Sequence, residues 1–118
     1  QTGFPIMPLG PIPTEISIGM DHISAAIGAA IMGLDGCTNI ISAVTREEHT
    51  GGIPSIESMI EAIITAKIVA HIIDIHRIDD VNEDLDIAKI RAESHTCIFG
   101  KKTKYCDRCN ELCPLSIN

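Results

Sequence analysis

This sequence predicts an α/β fold that ends in a cysteine-rich, metal-binding tail, and three observations carry that expectation. Two segments, opening at Asp21 and at Ser55, space their apolar residues at helical intervals. Between them, residues 38–44 form a short, mostly apolar run with several β-branched side chains, the pattern of a strand buried on both faces of a parallel sheet. Near the end of the chain Cys106, Cys109 and Cys113 stand in a C-x2-C-x3-C spacing. Thiolates gathered that densely are how proteins grip zinc or an iron–sulfur cluster.

The elements follow in order. Pro5, Pro8, Pro11 and Pro13 break any helix in the first twenty or so residues, leaving residues 4–9 and 15–18 as brief extended pieces, the second a candidate strand. Asp21 is a good N-cap, and Ile23, Ala26, Ile27, Ala30 and Ile31 recur at i, i+3, i+4, i+7 and i+8. Gly33 is the expected stop of this helix. Its small residues, among them Ala25, Gly28 and Ala29, let the backbone lie close against a sheet. Gly36 and the candidate strand 38–44 come next, then a polar loop, residues 45–52.

Loops leaving the C-terminal ends of parallel strands are where α/β folds put their chemistry. That position singles out His49 over His71, His76 and His95, although on pattern alone a lone loop histidine is commonly a surface residue. Glu47 and Glu48 read as ligands, as orienters of the ring or as solvated carboxylates. Ser55 caps a long helix to about residue 78, with Ile56, Ile60, Ile63, Ile64, Ile68, Ile72 and Ile75 as its apolar stripe. An acidic break follows, then a weaker helix from about residue 83 to 93. Such alternation argues for βαβ units with right-handed crossovers. Cys37 reads as a small core residue and Met7, Met20, Met32 and Met59 as packing.

Composition narrows the function classes. A chain of 118 residues is one domain at most, and 45% hydrophobic content allows a core. A net charge of −7 argues against a nucleic-acid partner, because neutralising phosphates needs a basic face. Lys101, Lys102 and Lys104 make one small basic patch, read as a solvated turn. No run approaches the roughly 18 apolar residues of a membrane span, and the opening Gln1-Thr2-Gly3 has no secretory pattern. Five cysteines, with Cys97, Cys106, Cys109 and Cys113 at one end, suit a reduced cytoplasm and a metal site better than a disulfide framework.

Which metal the tail holds stays open on spacing. Three thiolates leave a fourth coordination position free, as in a [4Fe–4S] cluster with one exposed iron. Cys97 precedes Cys106 by nine residues, so a closed four-thiolate zinc site is the other reading, with His95 a lesser substitute ligand.

The run Leu9-Gly10-Pro11, then Gly19-Met20-Asp21-His22-Ile23 and Ala26-Ile27-Gly28-Ala29-Ala30, resembles the phosphomethylpyrimidine synthase family, the radical-SAM enzymes that make the thiamine pyrimidine. Val44-Thr45-Arg46-Glu47-Glu48-His49, Gly52-Ile53-Pro54 and Ala66-Lys67-Ile68-Val69-Ala70-His71 continue the likeness, which spans roughly residues 8 to 93. The resemblance implies the C-terminal βα units of a TIM (β/α)8-type barrel over residues 1–94 and a cysteine-rich iron–sulfur tail over 95–118. It implies that His49 binds an auxiliary zinc or iron ion near a nucleotide-like substrate. It implies that Cys106, Cys109 and Cys113 hold the [4Fe–4S] cluster that cleaves S-adenosylmethionine. The radical so formed rearranges aminoimidazole ribotide into hydroxymethylpyrimidine phosphate, and the family's tail reaches into the partner subunit of a dimer.

Several departures bear on that expectation. The family tail is spaced C-x2-C-x4-C, one residue longer than here. A substrate-contacting tyrosine of the family is replaced by Met7, which removes a hydroxyl. A shortened segment before the tail brings in Cys97, which has no family counterpart. A closed barrel needs about 200 to 250 residues. A chain of this length would therefore leave strand edges and an apolar helix face to be covered by a second copy, by a companion chain or by the rest of a longer protein.

Overall fold

A computed structural model describes residues 3–94 and residue 97 of the chain. Its regular structure is helical: a 3-10 turn at Glu15–Ser17, then α1 (Asp21–Leu34), α2 (Ile56–Ile78) and α3 (Asn82–Ser94). No strand occurs among the described residues, which corrects the predicted α/β architecture of βα barrel units. The chain divides into two compact units, Gln1–Asp79 and Asp80–Asn118.

The reason for the missing strands is visible in the hydrogen bonds. Residues 4–9 and 38–44 do lie side by side: the Asn39 and Ile40 amides both donate to the Ile6 carbonyl, at 2.9 and 3.2 Å. A ladder cannot extend from there, because Pro5 and Pro8 carry no N–H to return. Side chains take over instead. The Ile6 amide donates to Asn39 Oδ1 at 3.0 Å, and Ser42 Oγ donates to the Pro8 carbonyl at 2.9 Å. Residues 15–17, part of the other candidate strand, wind into the 3-10 turn, with Thr14 accepting from the Ile16 amide.

α1 ends in a Schellman arrangement. The Cys37 amide donates to the Met32 carbonyl at 2.8 Å and the Gly36 amide to the Gly33 carbonyl at 3.0 Å. Gly36 takes φ +71, a conformation that glycine adopts without strain. The stop is thus at Gly36 and not at Gly33, and Cys37 is exposed beyond it instead of entering a core. α2 begins as predicted, with Ser55 Oγ accepting from the Ser58 amide at 3.1 Å, and closes at Asp79 in the left-handed conformation.

The two long helices meet through small residues. α1 buries Ala25, Gly28, Ala29 and Gly33, and α2 buries Ala62, Val69 and Ile73. Ala29, Val69 and Ile73 form the core cluster, flanked by Ala26, Ala30 and Ile41. The tip of Ile73 fills the space a Cβ at Gly33 would take, and the Pro11 carbonyl does the same at Gly28. Close backbone approach of this kind leaves the isoleucines outside: Ile23, Ile27 and Ile31 on α1, and Ile60, Ile64, Ile68 and Ile72 on α2, are exposed. These isoleucines of the two stripes face outward, as an uncovered apolar helix face would have them, while Ala26 and Ala30 of the α1 stripe pack against the core.

Candidate functional site

The loop over residues 45–52 is held in shape by its own groups. The Thr50 amide and hydroxyl both donate to the Glu47 carbonyl, at 3.0 and 2.9 Å, and Thr50 Oγ1 accepts from the Gly52 amide at 3.2 Å. Folded this way, the loop presents His49 to the head of α1. The His49 amide donates to Asp21 Oδ2 at 2.9 Å, and its ring Nδ1 stands 3.4 Å from Asp21 Oδ1. Asp21 is 1% exposed, whereas the His49 side chain is 55% exposed.

Asp21 was expected to be a plain N-cap. Met20 holds that position, with no side-chain cap, and Asp21 is the first residue of α1. Its carboxylate therefore serves the loop and not its own helix, while its place in the first turn suits the positive end of the helix dipole.

A second tie runs from the loop to α2. Arg46 donates to Glu61 Oε2 through Nε, at 2.9 Å, and also through a terminal nitrogen. The paired guanidinium holds the Glu61 carboxyl below its ordinary value, against the opposing effect of desolvation, and Glu61 in turn raises Arg46. His22 lies behind the pair, 7% exposed, with Nε2 at 3.8 Å from Glu61 Oε1. Its Nδ1 is buried without a hydrogen-bond partner, as is Glu47 Oε2. Arg46, Glu47, Ser55, Glu57, Ser58 and Glu61 line a cleft of about 370 Å³ at the start of α2. Glu57 there titrates below its ordinary value, chiefly because its own backbone amide and then Ser55 donate to it.

The predicted site residues are thus placed as follows. His49 is joined to Asp21 at the mouth of the 45–52 loop. Met7 stands on the extended segment 4–9, exposed. Cys97 is an exposed free thiol. Cys106, Cys109 and Cys113 lie outside the described residues. Sequence reasoning missed the Arg46–Glu61 pair, since fifteen positions separate the two and neither pattern of periodicity links a loop to a helix face.

Among the described residues no three His, Cys, Asp or Glu converge to hold a metal alone. His49 has the setting that such a role would need. A histidine whose Nδ1 faces a carboxylate and whose side chain is half exposed is the usual arrangement behind a metal-bound imidazole. For the cluster, the chemistry of the donor set is what fits: three thiols within eight positions of one another.

The loop-borne histidine is thus backed by a buried carboxylate, on a chain that also carries a thiol triplet. Comparison with known proteins makes this specific. The model of the Radical SAM ThiC family matches residues 1–118. A phosphomethylpyrimidine synthase of Pyrococcus furiosus is 34% identical over 131 aligned positions, covering 96% of this chain and 30% of that protein. The Archaeoglobus fulgidus phosphomethylpyrimidine synthase is 49% identical over 71 positions, 60% of this chain and 16% of its own. Phosphomethylpyrimidine synthase 2 of Methanosarcina barkeri is 32% identical over 136 positions, covering 98% of this chain and 31% of that protein. The chain belongs to the Radical SAM ThiC family. It spans less than a third of the length of these relatives.

Proposed function

We propose that this chain is the cluster-bearing part of a radical-SAM enzyme of the phosphomethylpyrimidine synthase type, acting on a nucleotide-like substrate in thiamine-pyrimidine synthesis. The single observation that carries the reading is a family match running through the thiol triplet at residues 106–113. Cys106, Cys109 and Cys113 would hold a [4Fe–4S] cluster, and His49 would give one nitrogen to an auxiliary zinc or iron ion. When bound, the cluster supplies the electron that cleaves S-adenosylmethionine in a carbon–carbon lyase-like reaction. This chain's own residues bind and orient: three thiolates grip, Asp21 and Arg46 fix the 45–52 loop, and Met7 offers an apolar contact. The reading includes a reduced, cytoplasmic setting, in which the thiols stay available for metal.

The exposed isoleucines of α1 and α2 support a companion surface, from a second copy or from another chain. A closed zinc or iron–sulfur electron-transfer site in a non-catalytic accessory or assembly subunit is the alternative, favoured by the exposed free thiol of Cys97 and by the shortened C-x3-C spacing.

Anaerobic reconstitution with iron and sulfide separates the two. The enzymatic reading expects a brown protein, bleached by dithionite, whose iron is lost in Cys106→Ser, Cys109→Ser and Cys113→Ser and retained in Cys97→Ser. Stoichiometric zinc without iron, released as readily by Cys97→Ser as by Cys106→Ser, would establish the accessory reading instead.

A further inference from the structure

We infer that Asp21 is a positioning residue for His49: it fixes the ring in the Nδ1–H tautomer, so that Nε2 carries the lone pair offered to a metal ion. The metal half of this statement rests on the reading of His49 given above; the tautomer half does not.

Three observations carry it. First, Asp21 is 1% exposed, and a carboxylate that deep is costly unless both oxygens find donors. Second, both oxygens turn to one residue. Oδ2 accepts the His49 amide at 2.9 Å, and Oδ1 faces the ring at 3.4 Å. Pinning the loop needs only the first contact, so the second is what a purely structural anchor leaves unexplained. Third, the ordinary duty of an aspartate at a helix start is not being performed, since the cap position belongs to Met20.

The proton then follows from valence. A carboxylate only accepts, and a neutral imidazole has one donor and one acceptor nitrogen. With Nδ1 3.4 Å from Oδ1, the carboxylate draws the proton to Nδ1, which leaves Nε2 as the acceptor. In water the preference of a free histidine side chain runs the other way, so the carboxylate is doing measurable chemical bias at this ring. With 55% of the His49 side chain exposed, a ligand has access to it.

The test is two-bond ¹H–¹⁵N correlation on the full 118-residue chain, labelled at histidine nitrogens, at about pH 8.5, where a histidine of ordinary pKa is neutral. The wild type should give the Nδ1–H pattern at His49. Asp21→Asn keeps the shape, but its one oxygen is taken by the His49 amide, so its NH2 faces Nδ1 and demands a lone pair there. The variant should therefore switch His49 to Nε2–H, with circular dichroism unchanged. An Nε2–H ring in the wild type, or an Nδ1–H ring that persists in folded Asp21→Asn, overturns the proposal. Should the variant fail to fold, the wild-type spectrum still decides.

Zinc is then added while the His49 Nε2 resonance is followed, a readout local enough to ignore metal taken up by the cysteines. The wild-type resonance should shift, and Asp21→Asn should need about 10- to 100-fold more zinc. A resonance that never moves, beside the expected tautomers, removes the metal reading of His49 and leaves the positioning role standing.

Discussion

Glu61 is the residue through which the 45–52 loop is tied to α2, and its titration offers a direct handle on that tie. Arg46 holds its carboxyl below the ordinary value of 4.5. A carboxyl depressed on folding contributes stability that is fully present above its unfolded value and is lost as pH falls through the folded one. Arg46→Ala should therefore lower the urea midpoint at neutral pH, with the gap to wild type closing as pH drops below 4.5. Carboxyl ¹³C NMR should show Glu61 returning to the ordinary range in the variant. High salt should shrink the same gap, since both side chains of the pair are partly exposed. A gap that widens in acid would mean that Arg46 acts through something other than this carboxylate. At this scale the sequence was half legible. Asp21 announced the helix start and His49 announced the loop, yet only the fold of residues 45–52 reveals that the two share one carboxylate.

At the scale of elements, the helices are set by what they lack. Gly28 faces the Pro11 carbonyl, a backbone atom with nowhere to go, whereas Gly33 faces Cδ1 and Cγ1 of Ile73, a buried side chain that can yield only by giving up its rotamer. Gly28→Ala should therefore destabilise the chain by about 1–3 kcal/mol through overpacking, even after the roughly 1 kcal/mol that alanine gains in a helix. Gly33→Ala should cost clearly less. Urea denaturation of the two variants ranks them, and equal losses would show that Pro11 yields as easily as a side chain. The same residues explain where the sequence could be read and where it could not. The helical period, the Ser55 cap and the approximate ends of α2 and α3 are local properties, and they came through. Strands are not local: residues 38–44 had the right composition, but their neighbour carries Pro5 and Pro8, and a ladder needs amides on both sides. Burial is not local either. Periodicity marks an apolar stripe without saying whether the partner is inside the chain, and here the small-residue face won because glycine and alanine let the backbones approach.

For the molecule as a whole, the outward isoleucines are the feature left to account for. Ile60, Ile64, Ile68 and Ile72 repeat every fourth residue along α2, and Ile23, Ile27 and Ile31 do so along α1, all exposed. Contiguous apolar surface of that kind is rarely left to water. The relatives are more than three times as long as the part matched here, and the cover we propose comes from the rest of such a longer protein, from another chain or from a second copy. The consequence is separable from folding. Ile64 and Ile68 are 53% and 56% exposed, so Ile64→Lys with Ile68→Lys should leave the helical circular dichroism intact and move the unfolding free energy by no more than about 0.5 kcal/mol for each change. Sedimentation velocity over a range of concentrations should show self-association in the wild type and its loss in the double variant. If instead the double variant unfolds without cooperativity, the stripe belongs to this chain's own interior and no outside partner is called for. If it folds and still associates, the contact lies on another face, and α1 with Ile23, Ile27 and Ile31 is the surface to charge next.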